Sequence, residues 1–78
     1  MANKIDRQKP TKRQIEKILK DNVTEYSRIL ILDAGAVIDV NGILHRTAMT
    51  ALEYRIGLRY SGITATGENK LKVTFRYL

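Results

Sequence analysis

Ile15, Ile18, Leu19 and Val23 recur at the three- and four-residue spacing of one helix face, with Lys12, Arg13, Glu16, Lys17 and Lys20 on the other. The spacing predicts a helix over residues 12–23 with a single buried stripe. Thr11 and Gln14 stand in capping-box register, so the threonine oxygen can accept from the first turn while the glutamine reaches back. Pro10 ahead of them biases Lys9 towards extended geometry. Residues 1–10 carry no apolar period and read as a flexible arm or short edge strand, leaving residues 11–78 as a single domain.

The pattern changes at Arg28. "RILIL" is a compact β-prone run, bounded by the turn-like "DAGA". Its continuous apolarity fits a central strand covered on both faces. The following "VIDVNG" reads either as the second strand of a hairpin or as a loop, with a break at Asn41 and Gly42 in both cases. Helical spacing returns over residues 44–56, where Leu44, Ala48, Ala51, Leu52 and Ile56 share a face. Gly57 then suits the left-handed C-terminal position.

The last segment reads as a β-hairpin. In "LKVTFRYL", Leu71, Val73, Phe75 and Tyr77 alternate with Lys72, Thr74 and Arg76, a period of two. A loop of Gly67, Glu68 and Asn69 sets Ile63 opposite Val73, Ala65 opposite Leu71 and Tyr60 opposite Arg76. That register gathers the apolar side chains on one face and puts Lys70, Lys72, Arg76, Tyr60, Thr64 and Thr66 on the other. A two-residue loop shifts the pairing by one and mixes the faces. The chain therefore reads as an α+β domain: two helices packed on a small three- to four-stranded sheet with a C-terminal β-hairpin.

At 78 residues the core is small, and burial gained by dimerisation would help such a domain. Without cysteine, disulfides and thiolate metal sites are excluded. No apolar run is long enough to span a membrane and no hydrophobic leader is present, which points to the cytoplasm. On that reading the glycosylation triplet at Asn22, Val23 and Thr24 is a chance match.

Charge adds the functional clue. Fourteen bases against eight acids give +6. Residues 1–20 carry +5, residues 21–44 carry −3 and residues 45–78 carry +4. A pI near 9.9 with bases clustered at both ends is the footprint of a protein that meets a polyanion. Lys70, Lys72 and Arg76, beside Tyr60 and threonine hydroxyls, suit phosphates and stacked sugars or bases. Arg7, Lys9, Lys12 and Arg13 surround the first helix's N-terminus, where free N–H groups favour anions. The competing reading of both clusters is a solvated face that keeps a protein-interaction module soluble.

Enzymatic chemistry has less behind it. His45 has no serine or cysteine near it in sequence, and Asp33 and Asp39 are accounted for by turn formation. Gly35 and Gly42 form neither a dinucleotide fingerprint nor a P-loop, so no cofactor is implied.

With "QKP" leading into the first helix, "TEYSRILI" entering a strand, the glycine turn "DAGAVI", a second helix and the terminal "LKVTFRYL", the chain resembles the Alba family of small basic archaeal chromatin and RNA-binding proteins. The resemblance implies an Alba-like fold and contact with DNA or RNA through Lys9 and the hairpin tip at residues 67–70. It also implies a homodimer formed mainly through the second helix, and association with the nucleoid.

Overall fold

The computed structural model describes residues 10–77. Residues 1–9 of the predicted arm, with Arg7 and Lys9, lie outside the described residues. Helix α1 is Lys12–Asp21, and its start is the capping box foreseen. Thr11 Oγ accepts from the Gln14 N–H at 3.1 Å and Gln14 Oε1 accepts from the Thr11 N–H at 2.8 Å. Ile15, Ile18 and Leu19 form its buried stripe.

Val23 does not belong to that stripe. The helix ends at Asp21, and Val23 adopts a left-handed backbone with φ 53°. Its N–H donates to Lys20 O and the Thr24 N–H donates to Leu19 O at 2.8 Å, which satisfies the last carbonyls in a Schellman closure. The reversal swings Val23 outward, 81 % exposed.

The remaining elements are β1 (Tyr26–Ile31), β2 (Gly35–Asn41), α2 (Arg46–Ile56), β3 (Leu58–Gly67) and β4 (Lys70–Tyr77). All four strands pair antiparallel, in the order β1-β2-β4-β3. The ambiguous "VIDVNG" is thus mostly strand. It takes the central place expected of "RILIL", which instead forms the edge strand β1. Continuous apolarity misled here because only Ile29 and Ile31 face the core, while Leu30 opposes Val37 on the other face and Leu32 lies beyond the strand.

Both helices cover one face of the sheet. Ile15, Ile18 and Leu19 of α1 and Leu52 of α2 pack with Ile29, Ala36, Ile38, Val40, Leu58, Val73 and Phe75. Helix α2 begins two residues later than the spacing predicts, because His45 is its extended N-cap and makes no capping bond through its side chain. Gly57 ends it in the left-handed conformation anticipated, φ 73°. Gly35 is required for a different reason: a Cβ there would collide with the carbonyl oxygen of Phe75, so β2 can approach β4 only without one. The Tyr77 hydroxyl, directed at Leu32 O (2.6 Å) and Gly35 O (2.8 Å), ties β4 to the β1–β2 turn.

The terminal hairpin keeps the predicted middle and differs at both ends. Ile63 pairs with Val73 and Ala65 with Leu71, as the alternation requires. The loop, however, is the two-residue turn Glu68 and Asn69, with Gly67 paired to Lys70 and a bulge between Ala65 and Gly67 absorbing the extra residue. The faces are therefore not mixed. A second bulge between Tyr60 and Gly62 sets Tyr60 opposite Phe75, correcting the predicted pairing with Arg76.

Candidate nucleic-acid interface

Alternation along β4 decides what the uncovered face of the sheet displays. Val73 and Phe75 are buried against the helices, so Lys70, Lys72, Thr74 and Arg76 point the other way. Their cross-strand partners share that face. Lys72 lies between Asp39 of β2 and Thr64 of β3, and Asp39 in turn opposes Arg28 of β1. Thr74 lies between Val37 and Gly62, and Arg76 between Gly35 and Arg59. The result is a row carrying Arg28, Asp39 and Lys72, a neutral row of Leu30, Val37 and Thr74, and a row holding Arg76 and Arg59.

The four strands contain five bases, Arg28, Arg59, Lys70, Lys72 and Arg76, and a single acid, Asp39. All six occupy the open face. Arg28 Nε donates to Asp39 Oδ2 at 3.3 Å, which neutralises one base. Arg59, Lys70, Lys72 and Arg76 have no ion pair among the described residues. Lys70 and Arg76 stand six residues apart on β4, about 20 Å at the usual strand rise. Lys70, Lys72 and Thr66 also line a hollow with Arg28 and Asp39, so this end of the face is concave.

Of the predicted contact residues, the structure brings Lys70, Lys72 and Arg76 together on this surface. Tyr60 is not among them. Opposite Phe75, it stands on the helix side of β3, 41 % exposed beyond the cover of the helices. Lys12 and Arg13 are exposed in the first turn of α1, in the layer on the other side of the sheet, so these two bases do not join the patch of Lys70, Lys72 and Arg76.

Two residues on the open face were missed. Arg59 follows from the bulge after Tyr60, which exchanges the two neighbours between faces. Gly62 inside a strand pattern is the sequence signal for such a bulge. Arg28 follows from parity with Leu30 once Ile29 and Ile31 face the core. No aromatic side chain joins this surface. Of the four tyrosines and one phenylalanine, Phe75 is in the core, Tyr77 and Tyr26 pack against it, Tyr60 lies on the helix side and Tyr54 is exposed on α2.

Other chemistry is sparsely provided for. Asp39 is engaged by Arg28, and it lies three residues along β2 from Ala36, about 10 Å. It is therefore well removed from Asp33 in the β1–β2 turn. Among the described residues, no three His, Asp or Glu side chains are grouped as metal ligands. Lys17 pairs with Asp21 at 3.4 Å along exposed α1. The Tyr26 hydroxyl donates to Glu16 Oε2 at 2.9 Å, and that bond, with desolvation and the Glu16 charge, raises the phenol above its usual range. No described helix is long and apolar enough to cross a membrane. Comparison with family models, curated proteins and solved structures returns no match.

Proposed function

We propose that this chain is a non-enzymatic nucleic-acid-binding protein that holds the phosphate backbone on the open face of its sheet with little sequence specificity. One observation carries the reading: all five strand bases lie on that face, and four of them have no ion pair among the described residues. Clustered uncompensated cations over about 20 Å suit a chain of phosphates. The lack of aromatic groups there favours contact with the backbone over base stacking, and phosphate contacts carry no sequence information directly, which supports low specificity.

DNA and RNA are both within this proposal, as is the chromatin or RNA association that the Alba resemblance implies. So too is a cytoplasmic, nucleoid-associated location. Lys12 and Arg13 would meet nucleic acid on a separate surface, and contact through Arg7 and Lys9 also belongs to this proposal. A homodimer is also proposed, since exposed Tyr60 and Ile63 on the edge strand β3 offer apolar area for a second copy. Sedimentation equilibrium reads that directly.

Fluorescence anisotropy tests the central reading. Replacing Lys70, Lys72 and Arg76 together with glutamate should sharply weaken binding to duplex DNA and to RNA at low salt, with the far-UV circular dichroism unchanged. Undiminished binding by the folded variant would refute it. A second reading, a protein-interaction module, draws on the neutral row: Leu30 is 36 % exposed, and Leu32, Val37 and Thr74 line a hollow beside Arg76. In that case the wild type would not bind nucleic acid at low salt at all.

A further inference from the structure

We infer that Arg59 and Arg76 form a two-guanidinium clamp for a single phosphate group. The clamp deepens the nucleic-acid reading and rests on it for the phosphate's source. The two arginines are direct cross-strand partners on the open face. Residues so placed have Cβ atoms about 5 Å apart, and like charges there are destabilising. Elsewhere on this face the sheet avoids that cost: Asp39 stands between Arg28 and Lys72. In the arginine row the matching position on β2 is Gly35, which carries no side chain. Both arginines are exposed, and neither makes an ion pair among the described residues. Glu53 shares a hollow with Arg59 at the outer side of β3 without coming within ion-pair distance.

The bulge after Tyr60 creates this pair. With regular pairing carried through from Ile63 and Val73, Tyr60 would oppose Arg76 and Arg59 would turn to the helix side. An irregular ladder and a like-charge contact thus coincide at one place, and bulges commonly re-aim side chains beside functional sites. A tetrahedral oxyanion between the two groups resolves the repulsion, since each guanidinium presents a planar fork of N–H donors that fits phosphate oxygens two at a time. Phosphate binding here needs both arginines, whereas Lys70 and Lys72 act as independent point charges.

The test uses inorganic phosphate and duplex DNA as probes of the whole chain and of Arg59→Gln, Arg76→Gln and the double variant. In chloride buffer either single variant should melt at a higher temperature than wild type, because the repulsion is removed. Exchanging chloride for phosphate at equal ionic strength should raise the wild-type melting temperature and shift the Nε–Hε resonances of both arginines; neither single variant should gain. Each single variant should weaken DNA binding about tenfold or more, with the double variant no worse than either single one. Additive losses in DNA binding, or phosphate that moves neither arginine resonance, would overturn the clamp while leaving the wider reading intact. If phosphate moves both resonances but no DNA binds at low salt, the clamp stands and its ligand is a small phosphate compound.

Discussion

Val23 holds a conformation that its side chain opposes. It occupies the position after the cap of α1 where glycine is usual, at φ 53°, with its side chain 81 % exposed. A β-branched residue there costs about 1–2 kcal/mol, and exposure returns little of it. Val23→Gly should therefore stabilise the fold by about 0.5–1 kcal/mol after the entropy that glycine adds to the unfolded chain. Thermal denaturation should show a rise of several degrees, roughly 4–8 °C per kcal/mol at this size, and a fall would contradict the strain. The sequence hid this because Val23 continues the apolar spacing of Ile15 and Leu19, and periodicity carries no information about where a helix stops. Tyr26 makes the complementary case. Its pKa is raised by the bond to Glu16. The stabilisation is thus fully present below the ordinary tyrosine value, about 10, and is lost as pH rises through the raised folded value. Wild type should exceed Tyr26→Phe in urea stability at pH 8, and the gap should close above pH 10; a gap constant across that range would rule the bond out as its source.

Among elements, those set by local rules were the most legible. The capping box at Thr11 and Gln14, the stop at Gly57 and the alternation of β4 each follow from a few neighbouring residues, and each is realised. Order within the sheet was not legible, since β1 is apolar enough for a central strand and "VIDVNG" polar enough for a loop. Only pairing, which is non-local, puts β2 between β1 and β4. The hairpin register was half legible, because alternation fixes a register only until a bulge changes its phase. Deleting Ser61, the residue without a partner between Tyr60 and Gly62, should regularise the strand and leave both flanking pairings in place. Cross-strand NOEs should still join Tyr60 to Phe75 and Arg59 to Arg76. Their replacement by contacts between Tyr60 and Arg76 would show that the bulge does not hold the register described.

At the scale of the whole molecule, a sheet covered on one side leaves the other to solvent, and the chain puts its strand bases there. The charge map made a basic surface legible but not its composition. Lys70, Lys72 and Arg76 could be read from alternation, whereas Arg59 and Arg28 needed the bulge and the strand order. Lys12 and Arg13, grouped with them by charge alone, fall on the opposite side. Phosphate binding by the open face through charge is proposed above. Its most direct test is the salt dependence of wild-type affinity for a 20-base-pair duplex, repeated on a scrambled sequence. With four strand cations lacking an ion pair among the described residues, two of them sharing one phosphate, the slope of log K against log salt should reach about −3 per protomer, at about −0.9 per phosphate neutralised. The scrambled duplex should bind equally well. Failure to bind at low salt, or an affinity that salt leaves unchanged, would contradict the account.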